Sequence, residues 1–97
     1  MVIDMKKFGE VLTSRPAGRE AYLSAKAYIV PKNGNETMIL DFEGVKVLAP
    51  SWGDEFLTPL LNEYGNRLVI KNTNNLSVQA TVETLEQTNG KTFVILQ

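Results

Sequence analysis

Residues 41–56, Asp41-Phe42-Glu43-Gly44-Val45-Lys46-Val47-Leu48-Ala49-Pro50-Ser51-Trp52-Gly53-Asp54-Glu55-Phe56, decide how this chain folds. The stretch joins two elements of different period. Upstream, Met38, Ile39, Leu40 and Phe42 make Thr37 to Phe42 a near-continuous apolar run, the pattern of a central strand covered on both faces. Downstream, Trp52, Phe56, Leu60 and Tyr64 recur every four residues, with Leu57 and Leu61 beside them. That stripe predicts an amphipathic helix over Trp52 to Tyr64. Pro59 falls off the stripe, which predicts a kink there with its ring toward solvent. Glu43-Gly44 breaks the strand, and Val45, Val47 and Leu48 continue as an extended link to Pro50. Ser51 then stands where the helix should begin, with Asp54 three residues on. This predicts a Ser51 N-cap in a capping box, with Asp in place of the usual Glu or Gln. Asp41, at the strand end, is expected to bind loop N–H groups.

Outward from this stretch, the chain alternates. Met1 to Met5 reads as a first strand, and Lys6 to Ser14 as a short helical turn or an irregular link. Ser14-Arg15-Pro16-Ala17-Gly18-Arg19 looks like a helix start, since a proline in the first turn loses no hydrogen bond. Gly18, Tyr22, Ala25 and Ile29 share one face of that helix, which runs to about Val30 before Pro31 and Asn33-Gly34-Asn35 turn the chain. On the other side, Gly65-Asn66 ends the second helix and Arg67 to Lys71 makes another strand. Asn72-Thr73-Asn74-Asn75 is a polar turn able to cap the segment after it. Leu76 to Gln87 fits two readings. Leu76, Val78, Ala80 and Val82 alternate as in a strand, whereas Val78, Val82 and Leu85 fit one helical face. The alternation of strands and helices elsewhere favours the helix. Thr92 to Leu96 is the last strand. The order β-α-β-α-β-α-β predicts a single α/β domain over residues 1–97, with a mixed sheet of about four strands and three main helices.

Composition narrows the function. Hydrophobic residues make up 43% and charged residues 22%, so the chain can bury a core and is not a disordered segment. Ten basic and eleven acidic residues are spread without a basic block, which argues against a nucleic-acid partner. No apolar run reaches membrane-span length, and the first residues lack the order of a signal peptide, so a cytoplasmic protein is expected. There is no cysteine and no histidine. That removes disulfides, Cys or His nucleophiles, His general bases and thiolate or imidazole metal sites. No Asp-rich loop has calcium-binding spacing, so no metal and no cofactor is expected.

The runs Ile39-Leu40-Asp41-Phe42-Glu43-Gly44-Val45 and Ala49-Pro50-Ser51-Trp52-Gly53-Asp54-Glu55-Phe56 resemble the bacterial STAS-like domains, relatives of the sulfate-transporter and anti-sigma-factor-antagonist domain. Ser14-Arg15-Pro16-Ala17-Gly18-Arg19 and the strand ending in Lys71-Asn72 extend the resemblance to about residues 14 to 86. In anti-sigma-factor antagonists an Asp-x-x-Gly-Val stretch leads to a loop whose serine is phosphorylated at a helix start by a kinase that is also the anti-sigma factor. Asp41 and Gly44-Val45 match that stretch, and Ser51 matches the serine. The Asp-Ser-Ser-Gly of those proteins reads here as Ala49-Pro50-Ser51-Trp52, without the acidic residue and the glycine. The resemblance implies a STAS-like architecture, a regulatory role without catalysis, and an ATP-binding kinase-like protein partner.

Among the candidate site residues, Ser51 is a helix cap or a phosphorylation site, where phosphate would meet the positive end of the helix dipole. Trp52 is a core residue or, with Asp54 and Glu55, part of a partner-binding surface. Asp54 and Glu55 also suit the first helical turn, and as sequence neighbours they make a poor acid/base pair. Arg15 and Arg19, four residues apart at a helix start, form a salt bridge to Asp54 or Glu55 or hold an anion or nucleotide. The second functional reading, a small anion- or nucleotide-binding module, rests on them and on the N–H groups of the loop at the start of the second helix.

Overall fold

The computed structural model describes residues 1–28, 35–71 and 74–96. The expected places of Ile29, Val30, Pro31, Asn33, Gly34, Asn72 and Thr73 lie outside these residues. Strand β1 is Val2–Asp4; a 3-10 turn, Met5–Phe8, leads to β2, Val11–Leu12; helix α1 is Arg15–Tyr28. Then come β3, Met38–Asp41, β4, Val47–Leu48, and α2, Pro50–Tyr64. A short 3-10 turn precedes β5, Leu68–Lys71; α3 is Leu76–Asn89 and β6 is Val94–Leu96. The helical reading of the segment from Leu76 therefore holds, with Asn75 as its N-cap.

Four strands form one sheet in the order β1-β3-β5-β6, and β2 pairs with β4 in a second, two-stranded sheet. Every pairing is parallel, where the sequence suggested a mixed sheet. The reason is that each consecutive pair in the large sheet is separated by a helix, and a helical crossover returns the chain in the same direction. Such crossovers are right-handed, and the strands follow chain order, so all three helices fall on one side.

That side holds the core. Ile3, Met38, Leu40, Leu68 and Ile70 point into it and are buried. On α2 the whole expected stripe is buried, together with Leu57 and Leu61. Pro59, expected toward solvent, is half-buried inside the continuous helix. Gly18, Ala21 and Ala25 are the buried positions of α1, and their small size lets α1 lie close to α2. A Cβ at Gly18 would stand 2.5 Å from the Trp52 carbonyl oxygen, which is inside contact distance. The opposite face of the sheet carries Val2, Ile39, Val69 and Val94, which are exposed or half-buried. Among the described residues the central strand is thus covered on one face, not two. Its apolar run reflects a sheet whose second face is itself apolar.

The break after β3 is a turn. Gly44 takes φ +86, a conformation that side chains disfavour, and the Val45 amide donates to the Phe42 carbonyl at 3.1 Å. The next residues run alongside β2. Lys46 and Val47 amides donate to the Glu10 carbonyl, and the Ala49 amide donates to the Leu12 carbonyl. Among the described residues, no helix is long and apolar enough to cross a membrane.

Candidate functional site

The small sheet brings the starts of α1 and α2 together. Leu12 and Leu48 are register partners, so the residues after them, Thr13 and Ala49-Pro50-Ser51, emerge side by side. Ser14 begins α1: its Oγ accepts from the Ala17 amide at 3.2 Å. Ala49 is the N-cap of α2, in extended conformation and with no side-chain cap bond. The expected Ser51 cap and its capping box are therefore not formed. Pro50 fixes helical φ at the first position and starts the helix before Ser51. Ser51 lies within the first turn, half-buried, and its Oγ donates to the Thr13 carbonyl at 2.7 Å. The hydroxyl ties the two helix starts together instead of capping one of them.

Ser51, Asp54 and Glu55 sit at i, i+3 and i+4 and so share a helix face. Arg15 meets both carboxylates: Nη1 donates to Asp54 Oδ2 at 3.0 Å and to Glu55 Oε2 at 2.6 Å. Asp54 Oδ1 also accepts from Thr58 at 2.9 Å. The Arg15 hydrogen bond holds the Asp54 carboxyl below its usual range, and the same bonds raise Arg15. Arg15 is thus engaged in the salt bridge to Asp54 and Glu55, one of the alternatives set by the sequence. Arg19 is exposed and forms no ion pair among the described residues. The two arginines therefore do not present a pair of open cations.

Trp52 is 1% exposed. Its ring stacks on Phe56 with centroids 5.0 Å apart, and Phe8 packs against both rings. The indole is a core group and offers no face to a partner, so Trp52 leaves the partner-binding set while Asp54 and Glu55 remain at the surface. Helix periodicity placed Trp52 correctly; the packing of Phe8 had no signal, because a single turn of 3-10 helix is too short to show a period. Asp41 behaves as expected, its Oδ1 accepting from the Glu43 amide at 3.0 Å.

The link into Ser51 is fastened by α3, which sequence reasoning did not connect to the site. Asn75 Nδ2 donates to the carbonyls of Val45 and Lys46, each at 3.0 Å, while its Oδ1 caps α3. Ser77 Oγ accepts from the Leu48 amide at 3.0 Å, and the buried Thr81 hydroxyl donates to the Leu48 carbonyl. A second polar group joins α1 to α2 lower down: the Tyr22 hydroxyl donates to Glu63 Oε1 at 2.7 Å, and Lys26 pairs with Glu63 Oε2. Among the described residues, no group of three acidic side chains is placed to hold a metal ion. The arrangement as a whole is one half-exposed hydroxyl at a helix start, bordered by one cation and two carboxylates.

The family model described as the STAS-like domain of unknown function (DUF4325) matches residues 25–78, from the end of α1 through β3, the link, α2 and β5 to the start of α3. No curated protein and no solved structure is matched. The matched stretch holds Ser51 and its two carboxylates and spans more than half of the chain, and the chain belongs to the STAS-like domains of unknown function.

Proposed function

We propose that this domain is a non-enzymatic, cytoplasmic regulatory module, that it binds a protein partner where α1 and α2 begin, and that an ATP-binding kinase-like partner switches it by phosphorylating Ser51. The observation that carries the reading is the position of the Ser51 hydroxyl: half-exposed, in the first turn of α2, bonded to the Thr13 carbonyl. Phosphoryl transfer to Oγ removes the proton that Thr13 accepts and sets a dianion against that carbonyl. It also places the dianion on the face of Asp54 and Glu55, the carboxylates that hold Arg15. The phosphate competes for Arg15 through charge-assisted bonds stronger than those to a single carboxylate. Modification therefore rearranges the ion pairs that join the two helix starts and makes the surface more negative, while the buried Trp52 stripe keeps the helix in place. The absence of His and Cys supports a binding role over a catalytic one.

The test is to incubate the recombinant domain with ATP and lysate of its source cells, locate phosphate by mass spectrometry, and measure binding of the captured kinase to wild type, Ser51→Ala and Ser51→Asp. Phosphate on Ser51, with the Asp form bound much more weakly or more strongly than the Ala form, is the expected result. Equal binding by all three forms, with no phosphate on Ser51, would overturn it.

A further inference from the structure

Helix α3 ends in a dipeptide with a reactivity of its own, Asn89-Gly90. Glycine has no side chain to shield its amide nitrogen, so that nitrogen can attack Cγ of the asparagine before it. The attack closes a five-membered succinimide: an N–Cγ bond forms, the Cγ–Nδ2 bond breaks, and the side-chain nitrogen leaves as ammonia with the amide proton. Water then opens the ring at either carbonyl, leaving aspartate or isoaspartate. One water is consumed, one ammonia is released, and nothing is oxidised.

We infer that Asn89 is a deamidation site which the fold keeps closed, and which reacts only when the last turn of α3 unwinds. Both reacting groups are tied down. The nucleophile, the Gly90 amide, donates to the Glu86 carbonyl at 2.9 Å, so it points back along the helix axis and not at its neighbour's side chain. The leaving group, Asn89 Nδ2, donates to the Leu85 carbonyl at 2.8 Å and to Thr58 Oγ1 at 3.2 Å, which uses both of its hydrogens. The direction of the second bond is fixed, because Thr58 gives its own hydrogen to Asp54 Oδ1 at 2.9 Å and has only lone pairs left for Asn89. The chain beyond is fastened as well. The Phe93 amide donates to Glu86 Oε2 at 2.8 Å, and Lys91 Nζ donates to Asn62 Oδ1 at 2.8 Å. Gly90 itself is exposed, with φ 64 and ψ 27, so water reaches the pair once the turn opens. The product lacks the hydrogens that Leu85 and Thr58 accept, and its charge lies at the negative end of the helix, one hydroxyl away from Asp54. Conversion therefore removes the bonds that would close the turn again. No step involves Ser51 or a partner, so the inference is independent of the phosphorylation reading.

The test is to hold the domain at mildly alkaline pH, native and in guanidinium chloride, and follow the mass of the proteolytic peptide bearing Asn89. The chain's other Asn-Gly pair, Asn33-Gly34, falls in a different part of the sequence and is read separately. Deamidation at Asn89 is expected to be at least about tenfold slower in the native chain than in the denatured one. Thr58→Val removes one acceptor of the leaving nitrogen and is expected to speed the native reaction about two- to tenfold, without changing the denatured rate. Gly18→Ala, a strain between α1 and α2 far from this turn, is expected to leave the native rate as it is. Circular dichroism checks that each variant is folded; should Thr58→Val not fold, the ratio of native to denatured rates in the wild type decides. Equal rates in the two states overturn the inference. So does a native rate that Thr58→Val fails to move, or one that Gly18→Ala raises as much, which would make global unfolding the route.

Discussion

Gly18 sets how near α1 can come to α2. An added methyl would collide with the Trp52 carbonyl at 2.5 Å, and backbone cannot turn aside as a side chain can. Gly18→Ala is therefore expected to destabilise the domain by about 1–3 kcal/mol, even though alanine is the better helix former. Urea denaturation checks this; an unchanged midpoint would mean that the helices part at no cost. Ser51 is the opposite case, a residue with one bond at the rim. Ser51→Ala removes the donor to Thr13 and is expected to cost about 0.5–1.5 kcal/mol, less than the loss of a strong cap. Ser51→Asp gains about 0.3–1 kcal/mol from the helix dipole but loses about 0.2–0.5 kcal/mol to each of Asp54 and Glu55, besides the lost bond. It should be no more stable than the wild type, so a large difference in partner binding between the Ala and Asp forms would not come from folding. What was legible at this scale depended on whether a residue's role is local. Asp41 bonds an amide two residues on, and its turn chemistry could be read directly. Ser51 bonds a carbonyl 38 residues away, and nothing near it in sequence announces Thr13.

Among the elements, α3 shows two periods in competition and why one prevails. The alternating set includes Leu76 and Ala80, which are exposed; the helical set, Val78, Val82 and Leu85, is buried. A strand would have buried the first set, but it would have forfeited the four bonds made by Asn75, two into the first turn of the helix and two to the carbonyls of Val45 and Lys46. Asn75→Ala is expected to cost at least about 1–2 kcal/mol through the lost cap. Because the same side chain holds the link into Ser51, the substitution should also speed hydrogen exchange at the amides of Val47 and Ala49 more than at those of β5. Equal acceleration everywhere would reduce Asn75 to a cap alone. The small sheet itself was out of reach of any sequence pattern. Two residues in each strand make a single period of alternation, too short for a pattern, and the partners lie far apart in the chain. Val45, Val47 and Leu48 were legible as an extended apolar link, yet not as a strand, because their partner β2 was hidden in a segment that reads as irregular.

At the scale of the molecule, the order of the large sheet's strands and of the three helices was legible from their apolar runs and stripes, and chain order with right-handed crossovers then puts every helix on one side. Which side of the sheet is covered was not legible, since Met38-Ile39-Leu40 is apolar on both faces whether or not a second layer exists. The helix layer is held to itself in two ways, by the buried seam of Gly18, Ala21 and Ala25 against α2 and by ion pairs at the rim. The seam is insensitive to pH; the ion pairs are not. Asp54 is held low by Arg15, and Glu63 is held low by Lys26 and by the Tyr22 hydroxyl. A carboxyl with a lowered folded pKa adds stability that is fully present above its unfolded value and is lost as pH falls through the folded one. Lys26 is raised, first by its bond to Glu63, so its contribution is lost only as pH rises through its elevated value in the alkaline range. Unfolding free energy is thus expected to be level near neutrality and to fall on acidification below about pH 4. Both carboxylates are partly exposed, so the fall is modest and is reduced by salt. Glu63→Gln keeps an acceptor for Tyr22 and Lys26 but cannot titrate. Urea titrations of wild type and Glu63→Gln across that range, at low and high salt, should show a shallower acid slope in the variant, with its midpoint near neutrality lowered by the modest amount that the wild type loses in acid. Identical slopes would place the acid-sensitive groups elsewhere, Asp54 first, and leave the Glu63 pairs without weight in holding α1 to α2.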